Sequence, residues 1–139
     1  HGRLNCFLTD RYTAKRLKQP ETGSAMRGLT GDIGIGSSNL IWHPGQQTQE
    51  QMFAEIGNGL LVTEMIGFGV NGVTGDYSRG AAGFLIENGE IVRPVSGITI
   101  AGNLKEMFAN IEMVGSDLTW FGSSAVPSIA ISGMTVAGQ

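Results

Sequence analysis

The 139-residue sequence holds one cysteine, Cys6, and two histidines, His1 and His43. A lone thiol excludes an internal disulfide and suits a reducing compartment. Cys6 lies in the apolar run Leu4 to Leu8, which predicts a buried, inert side chain. A zinc site needs three or four His, Cys or carboxylate ligands at workable spacing. Here the two histidines and the cysteine stand far apart in sequence and no HExxH-like pair occurs, so no metal-ligating set is assigned to this chain. Basic residues are few: nine Lys and Arg against twelve Asp and Glu give a net charge of −3. A dedicated nucleic-acid binder usually carries a basic excess, so direct nucleic-acid binding is not expected. No apolar run approaches the roughly 20 residues needed to cross a bilayer. The first residues, HGRLNCFLTD, lack the basic-then-apolar pattern of a signal peptide, and no Asn-x-Ser/Thr acceptor is present. These absences make a cytoplasmic address the default expectation.

Glycine, by contrast, is abundant at 22 residues. That load suits short strands, tight turns and bulges better than a helical bundle. The length is that of one domain, large enough for a core without disulfides. Charge is unevenly spread. Residues 1–27 contain six basic and two acidic side chains, a balance of +4, and the remainder contains three basic and ten acidic, a balance of −7. The basic cluster (Arg11, Lys15, Arg16, Lys18) reads as a solvated helix face, with an interface to acidic surface as its alternative.

The stretch from Gly75 to Leu104 organises the rest. Ala82 to Ile86 runs into Asn88-Gly89 and Ile91 to Val95 runs back, and Asn-Gly supplies the positive φ that a type I′ turn requires. Pro94 cannot donate to a ladder, so the return strand is expected at an edge or to stop there. Ile98 to Ala101 is predicted as a third strand of a meander. Asn103 then caps a helix with Glu106 in the capping-box position and Leu104, Met107, Phe108 and Ile111 on its inner stripe.

Elsewhere the pattern predicts a strand over Leu4 to Thr9 and a short helix over Arg11 to Leu17 capped by Thr9 or Asp10. Residues 18–36 read as a long loop and Asn39 to Trp42 as a strand. A second helix opens at Thr48, with Gln51 completing a capping box, Met52, Phe53 and Ile56 facing inward, and Gly57 as C-cap. Leu60 to Ile66 is an apolar strand. Glu112 to Leu118 fits strand or loop, and Ser128 to Ile131 with Met134 to Ala137 reads as a terminal strand pair. The whole predicts an α+β fold, a predominantly antiparallel, meander- or barrel-like sheet with about three short helices.

Gly67-Phe68-Gly69-Val70-Asn71-Gly72 matches GxGxxG after a strand, yet no helical stripe follows to hold a pyrophosphate. These glycines are better read as supplying positive φ and close backbone approach. Ser78 lacks the glycine two places earlier that a nucleophile elbow needs, since that position is Asp76. No catalytic residue is therefore assigned, and His43 as a base for Ser78 has little to support it. Asp76 and Arg79 lie three apart between glycines. They read either as an internal ion pair fixing the loop or, with Asn71, Tyr77 and Ser78, as a polar cluster meeting a partner subunit or a peptide backbone. Trp42, Trp120 and Phe121 read as core or interface packing.

Asp76-Tyr77-Ser78-Arg79-Gly80-Ala81-Ala82-Gly83-Phe84, the Glu87-Asn88-Gly89-Glu90 turn and Ile98 through Asn103 resemble the C-terminal part of the TldD/PmbA family. These are metallopeptidase subunits also known as modulators of DNA gyrase. The likeness extends to Leu8 through Leu17, Thr22-Gly23 and Val114-Gly115-Ser116-Asp117-Leu118, and is nearest to the PmbA (TldE) branch. It implies a C-terminal domain, residues 1–139, of a longer protein that pairs with a zinc-bearing TldD-type subunit or with itself. The implied substrates are unfolded peptides and peptide-antibiotic precursors. In the catalytic branch a paired-histidine helix lies upstream and a cysteine near the C-terminus completes the metal site. Here Leu118 through Pro127 holds no cysteine, which favours a non-catalytic subunit with zinc only in the partner. The alternatives are a fragment of a catalytic zinc subunit, or a non-proteolytic regulator binding DNA gyrase or an antitoxin.

Overall fold

A computed structural model describes residues 3–138 of the chain. Its first elements in chain order are α1 (Arg11–Leu17), β1 (Ala25–Arg27), β2 (Ile33–Ile35), β3 (Leu40–Ile41), α2 (Gln49–Ile56) and β4 (Gly59–Ile66). Then come β5 (Asp76–Glu87), β6 (Glu90–Asn103), α3 (Leu104–Ala109), β7 (Ile111–Val114), β8 (Thr119–Phe121), β9 (Ser124–Val126), β10 (Ile129–Ile131) and β11 (Thr135–Ala137). The fold is α+β with antiparallel pairing predominant, and the described residues gather in two compact units. No sheet closes on itself among the described residues, so the barrel-like expectation gives way to separate open sheets.

The smaller unit comprises the residues up to Ile41 together with Trp120–Ala125. Asp10, not Thr9, caps α1: its carboxylate accepts the Thr13 amide at 2.6 Å and also the Thr13 hydroxyl. Thr9 instead is buried and knots the chain, receiving and giving hydrogen bonds with Thr22 while its hydroxyl donates to the Pro20 carbonyl at 2.9 Å. The segment from Leu4 to Thr9 forms no strand, a correction. A strand needs a partner ladder, and Leu4, Phe7 and Leu8 lie exposed without one. Cys6 is exposed for the same reason, against the expectation of a buried thiol. Residues 18–36 are not a plain loop either, because β1 and β2 pair as an antiparallel hairpin. Its strands are three residues each and wholly exposed, too short to leave an alternating pattern. β3 pairs parallel with β9, and β8 completes that three-stranded sheet.

The larger unit holds the antiparallel sheet of order β11-β6-β5-β4. Asn88 (φ 52) and Gly89 (φ 82) both adopt positive φ, as the two-residue turn demands. The predicted meander is corrected in one respect: β6 runs unbroken for 14 residues through Pro94, so Ile98 to Ala101 is the same strand, not a third one. Two bulges on β6 absorb the irregularity, at Ser96–Gly97 opposite Ala82 and at Val92, and Gly97 (φ 67) supplies the left-handed residue at one of them. Pro94 is tolerated because β11 covers only Thr99 to Ala101, which leaves the Pro94 stretch as sheet edge. The final strands do not pair with each other: β10 pairs with β7 and β11 with β6.

Tyr77, Ala81, Ile98 and Ile100 form the core of this sheet, covered by Leu60, Val62, Val95, Leu104, Met107 and Met134. Full burial of a side chain such as Ile100 contributes about 1.5–3 kcal/mol. Capping proceeds as predicted at α2, where Thr48 and Gln51 form the reciprocal box and Gly57 ends the helix. At α3 the Asn103 side chain accepts from the Lys105 amide at 3.1 Å. Phe108 leaves the expected inner stripe; it is 61% exposed and stacks on Trp42 with ring centroids 6.4 Å apart.

Candidate functional site

The loop between β4 and β5 is a closed, hydrogen-bonded structure. Ser78 N–H donates to the Gly69 carbonyl at 2.7 Å and Asn71 N–H to the Asp76 carbonyl at 2.8 Å, with Val70 and Tyr77 as a bridge pair. Gly69 must be glycine here because a Cβ would collide with the Ser78 carbonyl oxygen, and Gly67 and Gly75 take positive φ. Of the three GxGxxG glycines, Gly69 answers to backbone crowding and Gly67 to positive φ, whereas Gly72 answers to neither, and no helix follows the motif. Inside the turn, Asn71 Oδ1 accepts from the Val73 and Thr74 amides at 2.9 and 3.2 Å. The Thr74 hydroxyl donates to Asp76 Oδ2 at 2.6 Å. Asn103 ties the loop to α3: its Nδ2 donates to the Thr74 carbonyl at 3.1 Å and to Asp76 Oδ1 at 3.4 Å. The sequence pattern marks Asn103 only as a cap; the second role has no sequence signal, since it comes from Asp76 and Asn103 standing opposite each other in the β5–β6 ladder.

Of the five candidate contact residues, the structure gathers Asn71, Asp76 and Ser78 on the exposed side of this loop, around a shallow open depression. Tyr77 points the other way. It is buried in the sheet core and its hydroxyl donates to Met65 Sδ at 3.2 Å. Arg79 shares the Tyr77 face of β5, half-buried, with its Nε enclosed and without a hydrogen-bond partner among the described residues. The internal Asp76–Arg79 ion pair does not form, because residues three apart on a strand point to opposite faces. Among the described residues the one salt bridge joins Arg11 and Glu21 at 3.7 Å across exposed side chains. Nor does any described hydrogen bond join Ser78 to His43. What the loop offers is a hydrogen-bonded polar surface of amide, carboxylate and hydroxyl groups, flanked by the fully exposed Phe68 and Val73.

A second polar centre is hidden from sequence inspection. Asp117 accepts the Ser128 amide at 3.0 Å, the Ser128 hydroxyl at 2.6 Å and Gln49 Nε2 at 2.8 Å, and Gln49 also reaches the Ser128 hydroxyl at 2.8 Å. Burial pushes the carboxyl pKa up, but the Ser128 and Gln49 hydrogen bonds together outweigh it and hold Asp117 below its ordinary value. Backbone bonds from Gly45 to Gly115, Gly115 to Ser128 and Ser116 to Gln47, each 2.8 Å, stitch the same three segments. In the sequence Asp117 stands out only as part of the Val114–Leu118 resemblance, because its partners are 11 and 68 residues away.

Among the described residues no three His, Cys, Asp or Glu side chains gather as a ligand set. No described helix is long and apolar enough to cross a membrane.

Comparison with known proteins bears out the family resemblance. The profile of the PmbA/TldA metallopeptidase C-terminal domain matches residues 1–138. Metalloprotease PmbA of Escherichia coli O157:H7 is 46% identical over 99% of this chain and 29% of its own length. The zinc metalloprotease TldD homolog of Saccharolobus solfataricus is 32% identical over 90% of the chain and 28% of its length. A crystal structure from Thermotoga maritima, described as a candidate modulator of a DNA gyrase, superposes with a TM-score of 0.87 at 34% identity, covering 98% of this chain and 31% of that one. The chain thus spans under a third of the length of each of these relatives. With a profile match across its length and a shared fold, this chain belongs to the PmbA/TldD metallopeptidase family, over that family's C-terminal domain.

Proposed function

We propose that this chain is the C-terminal domain of a PmbA-type subunit that lends scaffold and dimer surface to a TldD/PmbA peptidase without carrying the catalytic zinc. The observation that supports this best is the commitment of its carboxylates. Asp117 and Asp76 engage their oxygens with Ser, Gln, Thr and Asn donors, so neither carboxylate stands free as a ligand or general base. A TldD-type partner, or a second copy in a homodimer, would supply the Lewis acid and activated water. Unfolded peptides and peptide-antibiotic precursors are the substrates, in the cytoplasm. As the terminal strand of its sheet, β4 offers an unpaired edge to which an extended peptide could add. The isolated domain should hydrolyse no peptide with or without added zinc, whereas the full-length protein mixed with a TldD-type subunit should. Metal-dependent cleavage by the domain alone that survives repurification overturns the reading.

A second reading, a fragment of a catalytic subunit, draws on the 32% identity to a relative named as a zinc metalloprotease. Metal analysis of the full-length protein separates the two, since stoichiometric zinc favours the second.

A further inference from the structure

The chain contains three Asn-Gly pairs, Asn58-Gly59, Asn71-Gly72 and Asn88-Gly89, and the fold treats them differently. Asn-Gly is where a polypeptide most easily attacks itself, because no Cβ hinders the glycine nitrogen as it closes on the asparagine Cγ. The attack needs a free glycine amide and a polarised carboxamide. At the hairpin tip, Gly89 N–H is engaged by the Gly57 carbonyl at 2.7 Å. At Asn58 the carboxamide oxygen receives one donor, the Asn88 amide at 3.2 Å, and Gly59 is set into β4 opposite Ile86. Only Asn71 meets both conditions. Its Oδ1 receives the Val73 and Thr74 amides, while Gly72 N–H has no partner among the described residues and both side chain and glycine are exposed.

We propose that Asn71 is a site of spontaneous deamidation, with the Val73 and Thr74 amides serving as an oxyanion hole for attack by Gly72 nitrogen. Gly72 nitrogen gives up its proton to hydroxide and bonds to Asn71 Cγ. The negative charge that collects on Oδ1 faces two N–H donors already in place. The Cγ–Nδ2 bond then breaks, Nδ2 takes a proton from water, and ammonia leaves a five-membered succinimide. Water opens that ring at either carbonyl, giving aspartate or isoaspartate at position 71. The product sets a second carboxylate on the loop that carries Asp76. The exposed polar face loses an amide and gains a negative charge. This reactivity follows from the loop geometry alone and does not depend on the family's activity.

The test is to age the full-length protein in mildly alkaline buffer and follow the three Asn-Gly peptides by mass spectrometry, with isoaspartate detected by enzymatic methylation. Asn71 should convert at least about tenfold faster than Asn58 or Asn88, a modest share of the roughly hundredfold that one oxyanion donor contributes in an enzyme site. In urea the three rates should converge, since the donors exist only in the fold. Gly72→Ala should slow position 71 without unfolding the protein, because an added Cβ there meets nothing within 4 Å and Gly72 does not need positive φ. Equal rates in the folded protein, faster loss at Asn58 or Asn88, or a preference for Asn71 that persists in urea would each overturn the proposal. So would a Gly72→Ala variant that ages unchanged.

Discussion

At the scale of single residues, Asp117 carries the most structure per atom. Its depressed folded pKa fixes the sign of its pH dependence. Above the ordinary carboxyl value of 3.8 both folded and unfolded states are ionised and the contribution is complete. Below that value the unfolded chain takes up protons first, so stability falls until the folded pKa is passed. Replacing Asp117 with Ala leaves the Ser128 amide and the Ser128 hydroxyl proton without their acceptor and should cost about 1–3 kcal/mol. Urea midpoints of wild type and variant, measured from neutral pH downward, should converge as the acid limb is reached. Cys6 gives a second expectation. Because it is exposed, it should react with a maleimide in native buffer as fast as in denaturant. The sequence misleads here because hydrophobic neighbours predict burial only when they have somewhere to pack, and Leu4 and Phe7 do not.

Among the elements, legibility follows how local the determinant is. The β5–β6 turn and the α2 caps are readable because each is set by residues within four positions of one another. The continuity of β6 is not, because it depends on bulges whose meaning appears only against the facing strand. Likewise β7–β10 and β3–β9 join segments that carry no signal of their partner. Of the site, the loop itself is legible from its glycines. Which side chains face outward is settled by the strand alternation that turns Tyr77 inward. Close approach within the sheet makes a prediction of its own. A Cβ at Gly83 would collide with the Leu61 carbonyl, so Gly83→Ala should cost about 1–3 kcal/mol through overpacking. Gly97→Ala, which meets no neighbour but has φ 67, should cost about 1 kcal/mol from backbone strain alone. Denaturant unfolding of the two variants distinguishes collision from strain.

For the whole molecule, apolar exposure is the dominant fact. Leu29, Phe68 and Val73 stand almost fully in solvent, and Trp120 and Phe121, expected as core or interface, are more than half exposed. Contiguous apolar exposure marks contact surfaces for proteins, membranes or ligands, or sites of aggregation, and Phe68 and Val73 flank the one loop. Sedimentation of the isolated chain should therefore reveal self-association that weakens when Phe68 and Val73 are changed to Ser. A monodisperse monomer at high concentration would count against an interface role for these residues. The two-residue turn between β5 and β6 has a kinetic consequence as well. It brings the sheet's two longest strands together with almost no chain to close, whereas β3 and β9 must find each other across more than half the sequence. Closure entropy grows with the enclosed length, so the ribbon should assemble early and open last. Its amides, read by deuterium uptake, would mark the slowest clock in the molecule.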